Sequence, residues 1–134
     1  GELTAWDPET AKPVWQVKED LPVWSGTLVT AGDLVFYGTM DGWFKAVDAK
    51  TGELKWRFKT GSGIIGQPVA YRGPDGREFV AVLSGVGGWS GAIVSGNLDP
   101  HDPSGALGFV GAMPDLKLKT TPGGELYVFA LPPG

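Results

Sequence analysis

Ala46-Val47-Asp48-Ala49-Lys50-Thr51-Gly52-Glu53-Leu54-Lys55-Trp56 lies without a gap on Ala5-Trp6-Asp7-Pro8-Glu9-Thr10-Ala11-Lys12-Pro13-Val14-Trp15, with Ala, Asp, Thr and Trp at the same four places. The offset is 46 − 5 = 41 residues, within the period of about 40 to 45 that marks a four-stranded propeller blade. Each copy reads as a hairpin. Gly42 to Val47 is a strand with apolar residues alternating, Asp48 to Gly52 is a turn, and Leu54 to Phe58 is the returning strand. Asp48 has the geometry to accept backbone N–H groups two or three residues ahead, and Gly52 suits a positive φ. Ala11 stands where the second copy has Gly, so the same left-handed turn costs more there.

Working outward, Leu28-Val29-Thr30 and Leu34 to Gly38 flank a turn at Ala31-Gly32-Asp33. Asp41-Gly42 then predicts a tight hairpin with both residues at positive φ. Beyond Trp56, Gln67 to Tyr71 and Glu78 to Leu83 form a pair around Gly73-Pro74-Asp75-Gly76, and Glu125 to Leu131 is a third strand of the repeat type. The fold class expected is all-β, about two blades plus a hairpin of a propeller. Residues 1–25 end one blade, 26–60 make a full four-stranded blade, and 61–134 make a last blade of three strands with a long loop at 84–123. Repeat units cannot bury their faces without neighbours, so such a chain is expected to be a piece of a larger propeller. The start, Gly1-Glu2-Leu3, is neither a signal peptide nor an initiating Met, which agrees with that expectation.

Composition narrows the function. Glycine and proline (22 and 11 of 134) are abundant, but so are aromatic residues, which argues for a turn-rich packed chain over disorder. The net charge of −4 and the absence of any basic run give nucleic acid no footprint. Zero Cys removes thiolate chemistry and disulfides, and no apolar run approaches the roughly 18 residues of a membrane span.

The Ala-x-Asp-x-x-Thr-Gly-x-x-x-Trp pattern resembles the tryptophan-docking motif of eight-bladed propellers that bind pyrroloquinoline quinone (PQQ). Val23-Trp24-Ser25-Gly26-Thr27-Leu28-Val29-Thr30-Ala31-Gly32 and Gly85-Val86-Gly87-Gly88-Trp89-Ser90-Gly91 resemble segments of methanol dehydrogenase large subunits. The tail, Ala106-Leu107-Gly108-Phe109 and Gly123 through Pro132, is similar to the lanthanide-dependent branch of that family. The resemblance covers essentially the whole chain. It implies that Trp15 and Trp56 are structural, each stacking on a peptide plane of the adjacent blade with its indole N–H on a backbone carbonyl. It places Trp24 at the wall of the quinone site, touching the cofactor through main-chain atoms, and Trp89 and Leu107 around the alcohol pocket. Ser25 departs from the Gly that often follows this Trp in the family.

By the same resemblance the polypeptide is part of a periplasmic oxidoreductase. Its cofactors are pyrroloquinoline quinone and a lanthanide or calcium ion. Its partners are the remainder of the propeller, a small alcohol, a cytochrome c electron acceptor and a second copy of the full protein. Metal ligands and the catalytic carboxylate are expected upstream of Gly1, so no catalytic or metal-binding residue is assigned here. His101, in Asp99-Pro100-His101-Asp102-Pro103, reads as a solvated turn residue, Asp99 and Asp102 as turn formers, and Gly85 to Gly88 lacks the strand-to-helix setting of a phosphate loop. One competing class is a non-catalytic propeller scaffold with docking repeats, such as an outer-membrane assembly factor, which needs neither the Trp24 segment nor Gly88-Trp89. Complementation by a separately produced N-terminal chain is the other.

Overall fold

A computed structural model of the chain describes residues 1–132. Its strands are β1 (Glu2–Asp7), β2 (Lys12–Lys18), β3 (Leu28–Thr30), β4 (Leu34–Gly38), β5 (Trp43–Asp48), β6 (Leu54–Lys59), β7 (Val69–Arg72), β8 (Glu78–Ser84) and β9 (Glu125–Ala130). They form three antiparallel sheets in chain order: β1-β2, β3-β4-β5-β6 and β7-β8-β9. The middle sheet is a complete four-stranded blade.

The repeat holds down to the backbone. Ala5 pairs with Trp15 and Ala46 with Trp56, and in both hairpins the register shifts immediately after the Ala. In the second turn the Lys50 and Thr51 N–H groups donate to Asp48 Oδ1 at 2.9 and 3.0 Å, and Gly52 N–H donates to the Asp48 carbonyl at 2.8 Å. In the first, Asp7 takes the Glu9 N–H at 2.9 Å and the Thr10 hydroxyl at 2.8 Å. These donors hold both carboxyls below the usual aspartate range, Asp48 chiefly through the Lys50 N–H and Asp7 chiefly through the Thr10 hydroxyl. Ala11 and Gly52 share the left-handed conformation, at φ 52° and 74°. Ala11→Gly is therefore expected to raise stability by about 0.5–1 kcal/mol, read as a higher urea midpoint at unchanged slope.

Three expectations are corrected. The Asp41-Gly42 turn has positive φ at Gly42 alone, 93°. Thr39 N–H donates to the Trp43 carbonyl and Gly42 N–H to the Thr39 carbonyl, so the connection is a type I turn closed by a left-handed glycine, one residue longer than a two-residue hairpin. Strand β7 starts at Val69 because Pro68 has no N–H and the Gln67 side chain instead reaches Thr27 O at 2.7 Å. The stretch read as a long loop at 84–123 carries helices: α1 (Gly88–Ser95), α2 (Phe109–Ala112) and α3 (Leu116–Lys119), with a turn at Gly105–Gly108. All three are short. In α1, glycines at 88 and 91 weaken the propensity, and burial of Ser90 and Ile93 supplies what the sequence lacks.

Three apolar clusters hold the sheets together. Val35, Tyr37 and Val47 pack with Leu3, Trp15 and Val23 between the first hairpin and the full blade. Phe44, Ile64, Val80 and Val82 pack with Phe36, Tyr127 and Phe129 between the full blade and the third sheet. Leu21, Met40, Ile93, Val110, Met113 and Leu116 form the third cluster, beneath the helical insertion.

Trp15 lies over Gly52, where an added Cβ would stand 2.8 Å from two indole atoms, and its Nε1–H donates to Ala49 O at 2.9 Å. Trp56 meets the next sheet differently, through rings: Phe129 at 5.1 Å, with Phe44 and Phe58 beside it. The outer face of the third sheet carries Val69, Tyr71, Leu83, Leu126 and Val128, all exposed and all apolar or aromatic.

Tyr37 and Lys45 are directly opposed on β4 and β5, and Glu19 lies across both. Tyr37 OH donates to Glu19 Oε1 at 2.6 Å, and Lys45 Nζ reaches the two carboxylate oxygens at 2.7 and 2.8 Å. Burial, and after it the Glu19 carboxylate, pushes the Tyr37 hydroxyl far above the ordinary tyrosine range. The folded chain thus keeps a proton that the unfolded chain releases above about pH 10. This contribution is complete below pH 10 and is lost as pH rises beyond it. Stability is expected to fall by up to about 1.4 kcal/mol per pH unit there, and Tyr37→Phe to flatten that slope in urea titrations at pH 9 to 11.

Candidate functional site

Trp24 sits in the connection between β2 and β3, where no strand ladder consumes backbone groups. Within the described residues its own main-chain N–H and C=O have no hydrogen-bond partner. Its indole is half-buried against the Leu21–Met40–Met113 cluster and meets Phe109 edge to face, ring centres 5.0 Å apart at 86°. Ser25 Oγ accepts the Gly38 N–H at 2.8 Å and donates to Gly26 O at 3.0 Å, tying the connection to the end of β4. The departure at Ser25 therefore has a local function. The end of the Gln67 side chain lies over Gly26, in the space a Cβ there would take.

Trp89 is the second residue of α1 and is 51% exposed. Leu107 is 69% exposed, at the tip of a turn in which Ala106, Leu107 and Gly108 all have positive φ, 46°, 56° and 87°. Two successive non-glycine residues in this region cost roughly 1–2 kcal/mol each, and such strain gathers where a side chain must be presented in one direction. Helix α1 touches this turn, and Phe109 follows it by one residue. The fold thus joins Trp24 to Phe109 and sets Trp89 and Leu107 on adjoining elements, both facing solvent. Phe109, Met40 and Met113 were not singled out from sequence. Gly108 before Phe109 was the available signal, since a left-handed residue there turns the ring back toward Trp24.

The titratable groups of this region belong to turns. Asp99 is held below the usual range chiefly by the His101 N–H, and Asp102 chiefly by the Ser104 hydroxyl. His101 is almost fully exposed, its Nδ1 3.1 Å from Asp99 Oδ1. Among the described residues no group of three or more His, Asp or Glu is placed to hold a metal ion. What this region presents is an apolar wall at Trp24 and Phe109, with Trp89 and Leu107 exposed on adjoining elements.

Successive antiparallel sheets packed face to face, one of them a complete four-stranded blade, with a repeated Asp turn, define part of a β-propeller. A family model described as the glucose/ethanol/alcohol dehydrogenase β-propeller domain, of the PQQ type, matches residues 1–80. The chain belongs to this family. It is 57% identical over 133 residues to a lanthanide-dependent methanol dehydrogenase of Methylacidiphilum fumariolicum (strain SolV), covering 98% of this chain and 22% of that protein. It is 42% identical over 136 residues to the quinoprotein ethanol dehydrogenase of Pseudomonas aeruginosa, covering 98% of this chain and 18% of that one. The solved structure of a europium-containing methanol dehydrogenase superposes with a TM-score of 0.90 at 57% identity, over 97% of this chain and 23% of that chain. The chain therefore spans about a fifth of the length of these relatives.

Proposed function

We propose that residues 1–134 are the segment of a quinone-dependent dehydrogenase propeller that forms one wall of its active site, in an enzyme oxidising methanol or another small primary alcohol to the aldehyde. The observation that carries this reading is Trp24, its main-chain groups unpaired and its ring backed by Phe109 beneath the helical insertion. The likeness to dehydrogenases over nearly the whole chain supports it. When bound, PQQ with a lanthanide or calcium ion supplies the hydride acceptor and a Lewis acid. The metal ligands and the carboxylate base are contributed by residues outside this chain.

The part of these residues is to bind, orient and exclude. Trp24 offers its main chain to the edge of the cofactor. Trp89 and Leu107 bound the space for the alcohol with apolar surface, which favours a short alkyl group and expels water. The outer face of the third sheet, with Val69, Leu83, Leu126 and Val128, takes the remainder of the propeller, since apolar faces of this extent are seldom left to solvent. The further partners are a cytochrome c as electron acceptor and a second copy of the full protein, in the periplasm.

Dye-linked oxidation of methanol by the full-length polypeptide, loaded with PQQ and a lanthanide, tests the reading. Turnover is expected there, and Trp24→Ala is expected to lower kcat/KM about 100-fold, because the main chain that meets the cofactor edge loses the indole anchoring it against Phe109. Residues 1–134 alone are expected to give no turnover under the same conditions. Turnover by the segment alone, or none by the full-length protein, would overturn the assignment, the latter in favour of a scaffold.

A further inference from the structure

Both roots of the helical insertion are fastened to three residues of the connection that leads from the full blade into the third sheet. Ser62, Gly63 and Ile64 lie in the connection from β6 to β7. At the first root, Ser84 Oγ accepts the Ser62 N–H at 3.0 Å and stands 2.9 Å from both the Ser62 carbonyl and the Thr60 hydroxyl. One residue on, Gly85 N–H donates to Gly63 O at 2.8 Å, and Ile64 and Gly85 form a parallel bridge.

At the second root, Gly63 N–H donates to Thr120 Oγ1 at 2.7 Å, and the Ser62 hydroxyl donates to Thr121 O. There is no slack in this seam. A Cβ on Gly63 would stand 2.2 Å from the Met40 carbonyl oxygen, and one on Gly123 would stand 2.5 Å from the Ser62 Cβ. Ser62, Ser84 and Thr120 are all buried.

Between these roots the insertion contributes Ile93, Val110, Met113 and Leu116 to the cluster against which Trp24 lies. Apolar contact of this kind is non-directional and permits sliding. Hydrogen bonds, with their narrow range of length and angle, do not. The roots therefore add a directional restraint to the packing that holds Phe109 against Trp24.

We propose that Thr120 is a positioning residue, its hydroxyl fixing through the Gly63 N–H where the insertion holds Trp89 and Leu107 and so how large an alcohol those two side chains admit. This rests on the reading of Trp24 as a wall of the quinone site with Trp89 and Leu107 around the alcohol. The test uses the full-length holoenzyme with Thr120→Val, which keeps the shape and removes the hydroxyl, and Thr120→Ser, which keeps it.

In Thr120→Val, KM for methanol is expected to rise about fivefold while kcat stays within about twofold. The ratio of kcat/KM for 1-butanol to that for methanol is expected to rise about tenfold, with Thr120→Ser close to wild type. A lowered Tm with KM and this ratio unchanged would reduce Thr120 to a merely structural residue and overturn the proposal. Should Thr120→Val not fold, Ser62→Ala, which removes the bond to Thr121 O, must move the ratio the same way by about threefold. No movement there also overturns it.

If the wild-type holoenzyme oxidises no alcohol, the reading of the site fails and amide exchange judges the fastening separately. Gly63 and residues 85–119 must then exchange faster in Thr120→Val than in Thr120→Ser. Equal exchange sinks it.

Discussion

Replacing Glu19 by Ala is expected to destabilise the fold by about 3–5 kcal/mol, measured by urea unfolding of the polypeptide carrying these residues. The carboxylate joins two side chains that face each other across β4 and β5: the Tyr37 hydroxyl at 2.6 Å and the Lys45 ammonium at 2.7 and 2.8 Å. Tyr37 has no exposed surface, and the Lys45 and Glu19 side chains are 16% and 11% exposed. The site is largely shielded from water, so the variant is left with an ammonium and a hydroxyl that have lost their partner in the seam between the first hairpin and the full blade. The damage comes from what remains. Glu19→Gln, which still offers an oxygen to Tyr37, is expected to lose about 1–3 kcal/mol, and adding Lys45→Met to Glu19→Ala should recover part of the loss. Equal effects of Ala and Gln would contradict this division between charge and hydrogen bond.

Trp15→Ala should cost about as much, roughly 3–5 kcal/mol, for a different reason. The indole fills the space between the first hairpin and the turn of the next blade, packing with Val35, Tyr37 and Val47, and its N–H satisfies Ala49 O at 2.9 Å. Trp15→Phe keeps most of the ring and loses the donor, so about 1–2 kcal/mol is expected from it. Gly52→Ala approaches the same contact from the other side. Its methyl would meet the indole at 2.8 Å on a backbone at φ 74°, so both strain and displacement of the ring are expected. The first repeat has Ala11 at the equivalent place with φ 52°, so the backbone conformation by itself is tolerated. Glycine at 52 answers to the ring above it.

The period of 41 residues, the Asp turns, and strands β3 and β4 were legible because each depends on residues within a few positions of one another. Asp48 reaches donors two and three residues ahead, and β3 and β4 flank the three-residue turn Ala31-Gly32-Asp33. The Asp41-Gly42 turn escaped because two turn types share one dipeptide, and the choice depended on Thr39 bonding Trp43. Helices α1 to α3 escaped because segments this short and glycine-rich carry little periodicity, their helicity following from burial against Leu21 and Met40. At the candidate site, Trp24, Trp89 and Leu107 were singled out by resemblance, while for Phe109 the local residues gave only Gly108 before it.

By itself the sequence determined the blade repeat, the hairpin turns with their aspartates, and the absence of any thiol, since these are matters of local backbone preference and composition. Tertiary structure decided the rest: that Trp15 covers Gly52, that Glu19 bridges Tyr37 and Lys45, that the insertion is fastened at Ser62 and Gly63, and that Phe109 meets Trp24. The physical reason is common to all four. Each contact joins residues far apart in the chain, and its energy exists only once burial has removed the water that would otherwise satisfy or separate the partners.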